Sequence, residues 1–193
     1  MSRKLKVVAV SGSLQRPSRT NALVEAILAE LEKSLPVEIK LIELGNIAAD
    51  FGAVTNPKNL PQHIKDEIAA VESADLLVVA TPVYRASFTG LFKHFFDFVH
   101  HEALIDVPVL LAATGGSERH ALVIEHQLRP LFSFFQSITL PVGVYAAEAE
   151  LESYRVSSPA LQQRIELAVK KSLPFLTRRD INLNQDIALA ANA

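Results

Sequence analysis

The sequence predicts an α/β fold in which a parallel sheet of five strands carries helices on both faces. Short apolar, β-rich runs alternate with segments of helical period along the chain, and no internal repeat or low-complexity linker interrupts them. Several of these runs are apolar at every position, Leu76-Leu77-Val78-Val79-Ala80 most plainly. A strand with no polar side belongs in a sheet covered twice, and strict β-α alternation winds that sheet with right-handed crossovers.

The elements follow in order. Lys6–Val10, Val37–Leu44, Asp75–Thr81, Val107–Thr114 and Leu140–Ala146 read as strands. Helices are expected at 20–34, 61–73, 89–101, 118–136 and 159–177. Five strands suit the flavodoxin-like, doubly wound order rather than the six-stranded dinucleotide fold. One domain is expected over 1–177, followed by a tail, 178–193, without clear period: either loose or packed on a partner subunit. Ligands of such sheets bind beyond the carboxyl ends of the strands, so the loops after Val10, Ala80 and Ala113 are the places to look.

Composition narrows the chemistry. With 193 residues the chain has room for a sizeable core. Its apolar runs stay far short of the roughly 20 residues that a membrane span requires. Met-Ser-Arg-Lys leads straight into a strand-like run, so a cytoplasmic protein is expected. A net charge of -2 argues against a nucleic-acid grip. The absence of cysteine excludes thiol redox chemistry, disulfides and cysteine-ligated iron–sulfur clusters. Any electron transfer must therefore pass through a bound organic cofactor.

The first loop, Ser11-Gly12-Ser13-Leu14-Gln15-Arg16-Pro17-Ser18-Arg19-Thr20-Asn21, gathers hydroxyls and arginines at a helix start. Free N–H groups and the positive end of the helix dipole suit a phosphate there. The same residues also make an ordinary helix cap, Ser18, with a polar connector. Neither GxGxxG nor G-K-[ST] occurs, so dinucleotide and triphosphatase loops are excluded. In the second loop, Thr81-Pro82-Val83-Tyr84-Arg85, proline stiffens the turn and Tyr84 offers a planar face; a plain βα turn reads equally well. In the third, Thr114-Gly115-Gly116-Ser117, paired glycines allow close backbone approach to a flat ligand or simply a hinge. Together, phosphate donors, an aromatic turn and a backbone cradle match an FMN lying along the sheet edge.

Three further features stand outside those loops. His120 and His126, six apart, are expected on different helix faces, and His100 and His101 are expected to diverge, so no metal site is expected. The segment Phe88–Val99 is apolar around much of its circumference, which core packing and a subunit interface would explain together. Pro130 lies inside the expected helix 118–136, where its ring crowds the carbonyl of His126; either a kink or a widened, π-type turn relieves this.

The chain resembles the NAD(P)H-dependent FMN reductase family, and within it the flavin reductases of two-component sulfonate monooxygenases, most closely the methanesulfonate and alkanesulfonate types. The matching stretches are Gly12-Ser13 with Ser18, Ala80-Thr81-Pro82-Val83-Tyr84, Gly90-Leu91-Phe92-Lys93 and Ala113-Thr114-Gly115-Gly116. The resemblance implies hydride transfer from NADH or NADPH, NADH favoured, to FMN that leaves once reduced. It also implies a partner monooxygenase that spends the FMNH2 on desulfonation of an organosulfonate in sulfur assimilation. Ser13, Ser18, Thr20 and Asn21, with Ser11 and Arg16 in the same loop, are expected at the phosphate. Pro82, Val83 and Tyr84, with Thr114, Gly115 and Gly116, are expected along the isoalloxazine. Where relatives carry arginine two places after Gly-Ser, this chain has Gln15, with Arg16 next. Arg85 is the candidate to meet a nicotinamide phosphate or to balance the charge of reduced flavin. No side chain is expected to act as nucleophile or obligatory acid. The family's alkanesulfonate-type members carry an inserted residue that forms a π-helix at a tetramer interface, and His126 falls at that position, which implies a dimer or tetramer with a contact there. A quinone or azo reductase that retains FMN and a flavodoxin-like electron carrier are the competing readings; carriers are commonly strongly acidic, whereas this chain is near neutral.

Overall fold

Four consecutive residues, Val7, Val8, Ala9 and Val10, are wholly buried, which is possible only if both sides of their strand are covered. That strand, β1 (Leu5–Ser11), lies inside a parallel sheet with β2 (Val37–Glu43), β3 (Leu76–Pro82) and β4 (Pro108–Gly115). The computed structural model describes the backbone of residues 3–190 and the side chains of residues 3–176. Strand order is β2-β1-β3-β4 followed at the edge by β5 (Ile138–Thr139), the flavodoxin-like order expected from the sequence, but a sixth strand, β6 (Val144–Ala147), also pairs with β4 where five strands were expected.

Successive residues alternate between two cores. Val8 and Val10 of β1, with Leu77 and Val79 of β3, pack under α2 (Leu44–Phe51), α3 (Gln62–Glu72), α4 (Gly90–Phe96) and α5 (Arg129–Phe134). Val7 and Ala9, with Leu76 and Val78, pack under α1 (Arg19–Ser34) and α6 (Pro159–Ala190). The period of two in a strand thus sends each side chain to a different helical layer. Helix α2 was not expected; it follows β2 with no intervening loop, so Leu44 begins a helix rather than ending a strand.

Of the expected fifth strand, Leu140–Ala146, only Val144–Ala146 is strand, and a separate short piece precedes it. β5 (Ile138–Thr139) and β6 (Val144–Ala147) both pair with β4; the Leu140 N–H still bonds the Val109 carbonyl at 2.9 Å, and residues 141–143 pair with no strand among the described residues. Pro141 has no N–H for a ladder bond. Gly143 sits so close to its neighbours that an added Cβ would meet Ile124 Cγ2 at 2.7 Å. A small antiparallel hairpin, β7 (Leu151–Glu152) with β8 (Arg155–Val156), follows.

Two expected helices are shorter or broken. The segment 89–101 is helical only over α4, and Phe92, Phe95, Phe96 and Val99 are buried within this one chain. Phe92 and Phe96 lie 4.9 Å apart and Phe96 and Phe132 5.0 Å apart, so core packing accounts for these rings. The segment 118–136 divides into a 3-10 turn (Glu118–His120), a π-helical turn (Ile124–Leu128) and α5. The π turn centres on His126, and the Arg129 N–H bonds to the Ile124 carbonyl five residues back. Pro130 then falls in the first turn of α5, where a missing N–H is tolerated. Helix α6 passes the expected end at 177; the side chains of the expected tail lie outside the described residues. Among the described residues, no helix is long and apolar enough to cross a membrane.

Candidate functional site

The three loops singled out by the sequence meet at the carboxyl ends of β1, β3 and β4. They enclose a cavity of about 230 Å³ lined by Ser13, Ser18, Thr20, Pro82, Val83, Tyr84, Thr114, Gly115 and Gly116. Gln15, Pro17, Arg19, Glu148 and Tyr154 complete its wall.

Each loop is held by bonds that its own residues make. Ser18 caps α1: its Oγ accepts from the Asn21 N–H at 3.2 Å. The other N–H groups of that first turn have no partner inside the helix, which leaves them for an anion. Ser13 Oγ donates to the Gln15 carbonyl at 3.2 Å, bending the loop back on itself. Thr20 and Thr114, both buried, share a hydroxyl bond of 2.7 Å that ties the first loop to the third. The Val83 N–H donates to the Thr114 carbonyl at 2.7 Å and ties the second loop to the third. Gly12 is needed where it passes beneath α4, because an added Cβ would meet Phe92 Cδ2 at 2.9 Å.

The second loop is a tight reversal. Tyr84 and Ser87 exchange backbone bonds of 2.8 and 3.0 Å, and Arg85 and Ala86 between them take φ of 48° and 66°. Left-handed backbone at two non-glycine residues is uncommon and strained. The turn leaves the Tyr84 side 45% exposed and free to meet a planar ligand. Arg85 is exposed and borders an adjacent depression with Val83 and Tyr84 rather than the main cavity.

Three expected phosphate residues lie outside the lining. Ser11 is wholly buried and donates to Asn21 Oδ1, while Asn21 Nδ2 donates to Glu43. Arg16 is drawn the same way, with Nε bonding Glu43 Oε2 at 2.9 Å. Glu43 thus claims the arginine that the sequence offered to the phosphate. Arg19 is the cation that reaches the cavity; its Nη2 lies 2.6 Å from Glu148 Oε1, and its Nε is buried without a hydrogen-bond partner. Glu148 and Tyr154 come from the far end of the chain, and nothing in their local sequence marks them.

Under the third loop lies Tyr145, whose hydroxyl donates to the Ser117 carbonyl at 2.6 Å. Burial raises the pKa of its phenol, and the charges of Glu118 and Glu150 raise it further, so it stays a donor. A Cβ on Gly115 would fall 2.2 Å from that hydroxyl, whereas one on Gly116 would meet nothing. The carboxylate of Glu150 caps the Ala147 N–H at 3.0 Å and pairs with Arg164 at 2.6 Å. Burial by itself would raise the Glu150 pKa, but the bonds from Arg164 and the Ala147 N–H outweigh it and hold it below the usual value.

His120 and His126, expected on different faces, share a second, smaller cavity with Val83, Arg119, Leu122 and Gln127, because the segment is not one regular α-helix. The rings of His100 and His101 do not diverge: their centroids lie 4.5 Å apart, and with Glu102 they form an exposed group whose ligand atoms lie within 4.8 Å of one another.

Two outcomes follow. Gly115→Ala should destabilise the fold by about 1–3 kcal/mol through overpacking against Tyr145, while Gly116→Ala should stay close to wild type, as read by urea unfolding. A carboxyl whose folded pKa is lowered contributes its stability above the unfolded value and loses it as pH falls through the folded one. Glu150→Gln should therefore be less stable than wild type near neutrality, and the gap should narrow as pH falls below the ordinary glutamate value of 4.5, as read by unfolding measurements across that range.

Residues 5–152 match the family model described as NADPH-dependent FMN reductase. The chain is 60% identical over 175 residues to the NADH-dependent FMN reductase SfnF of Pseudomonas fluorescens, covering 91% of this chain and 94% of that one. It is 55% identical over 179 residues to an FMN reductase (NADPH) of Pseudomonas aeruginosa, covering 93% and 96%. An oxidoreductase from Corynebacterium diphtheriae superimposes with a TM-score of 0.79 at 31% identity, over 91% of this chain and 98% of that one. The chain belongs to the NADPH-dependent FMN reductase family and is an oxidoreductase that uses NAD(P)H and FMN.

Proposed function

We propose that this reductase binds FMN at the junction of the three loops, takes hydride preferentially from NADH and releases reduced flavin to a partner sulfonate monooxygenase. The observation that carries the binding mode is the convergence of a capped helix start, a buried Thr20–Thr114 pair and the exposed face of Tyr84 on one cavity. Ser13, Ser18 and Thr20 hold the phosphate end. Pro82, Val83 and Tyr84 bear on one side of the ring system, and Thr114, Gly115 and Gly116 supply backbone beside it. Ser11, Asn21 and Arg16 act behind the loop, keeping its shape through Glu43. When bound, the flavin supplies the hydride acceptor, so no side chain has to serve as nucleophile. The residues' work is to orient the two rings and keep water from between them. Arg85, exposed beside the ring face, meets the phosphate of the nicotinamide cofactor.

The preference for NADH and the delivery to a monooxygenase rest on the resemblance to the two-component reductases; a cytoplasmic location accords with that role. The π turn at Ile124–Leu128 supports a subunit contact at His126, in a dimer or tetramer, because Leu122 beside it is 62% exposed and apolar.

Added FMN should sustain NADH oxidation far beyond the rate with a quinone alone; full turnover without free flavin would instead indicate a retained prosthetic group. Ser13→Ala and Ser18→Ala should each weaken FMN by about ten- to hundred-fold while sparing riboflavin, since each removes a bond to a charged group. Fluorescence titration with both flavins reads this, and equal losses would move the phosphate elsewhere. Deleting His126 should return the segment to regular helical register and shift the sedimentation profile; an unchanged profile would mean that the π turn serves only this chain's own packing.

A further inference from the structure

Arg19 is held at the cavity rim by two attachments at once. Its guanidinium pairs with Glu148 at 2.6 Å and lies 5.6 Å from the centre of the Tyr154 ring, yet its Nε is buried with no hydrogen-bond partner. All three residues line the main cavity. A planar guanidinium matches a phosphate with two parallel donors, and the unpaired Nε is one of them.

The carboxylate and the ring are held in place by the turn and the hairpin that carry them. Glu148 opens the 3-10 turn Glu148–Glu150, which Glu150 fastens through the Ala147 N–H, Arg164 and Ser158 Oγ. Tyr154 rides the tip of the β7–β8 hairpin, where Ser153 and Tyr154 both adopt left-handed backbone, φ 48° and 57°. Bulky residues rarely take that conformation, and here it carries the tyrosine to the cavity rim.

We propose that Glu148, assisted by Tyr154, is an internal competitor for Arg19 that sets how tightly and for how long the flavin phosphate is held. This rests on the reading that the cavity receives the phosphate end of FMN. A bound phosphate must draw Arg19 off Glu148 and then sit near that carboxylate, so part of the attraction is cancelled. The flavin is recognised by its phosphate but not trapped by it, as exchange with a second protein demands.

The test is fluorescence titration and stopped-flow dissociation of FMN and of riboflavin with the full chain. Glu148→Gln should tighten FMN by about two- to five-fold, the range for releasing a largely exposed ion pair, mainly through slower dissociation. Riboflavin should be unchanged. In the double variant Arg19→Met with Glu148→Gln the gain should vanish, because no cation remains to be freed. Unchanged FMN affinity in Glu148→Gln, with wild type still preferring FMN to riboflavin, would overturn the competitor role alone. Equal binding of both flavins by wild type would overturn the phosphate reading on which it rests.

Discussion

Burial of the central sheet on both faces constrains everything else in this protein. Val7 to Val10, Leu76 to Ala80 and Val109 to Ala113 are shielded in unbroken succession, so no polar chemistry can be housed along the strands. It is displaced to where the strands end. There the chain turns from buried strand to surface helix, and the backbone groups of helix starts and tight turns stand without internal partners. The geometry that makes the fold stable also creates, at one edge, the donors that a phosphate and a flat ring require.

The three loops are not independent. The Thr20–Thr114 hydroxyl bond and the bond from the Val83 N–H to the Thr114 carbonyl make β4's end the point to which the other two loops are fastened. Tyr145 supports that end from beneath through the Ser117 carbonyl, and it occupies the space that a side chain on Gly115 would need. The cavity is therefore a rigid junction. Its variable part is the rim, where Arg19, Glu148 and Tyr154 meet with much of their surface in solvent.

A second constraint acts at the far side of the sheet. Pro130 cannot donate in the turn before it, and Gly143 allows the segment carrying Ile124 to approach the break between β5 and β6. The widened turn around His126 and the interrupted fifth strand are thus adjacent features of one packing arrangement. Together they bring His120, His126 and Val83 around a cavity next to the junction of the three loops.

What the sequence by itself determined was whatever depends on near neighbours. Apolar runs marked the strands, hydroxyls after Val10 marked a helix start, Thr81-Pro82 marked a stiff turn and Pro130 marked a helix fault, because each effect acts within a few residues. Tertiary structure decided what depends on long-range competition. Arg16 and Arg19 are chemically alike and three apart, yet Glu43 on β2 captures the first, while the second stands at the cavity against Glu148. The helix α2, the split of the last strand and the meeting of His100 with His101 were likewise illegible. Partner choice for a charge, and the ending of a strand or helix, turn on which distant side chains arrive at the same place, and only the packed sheet sets that.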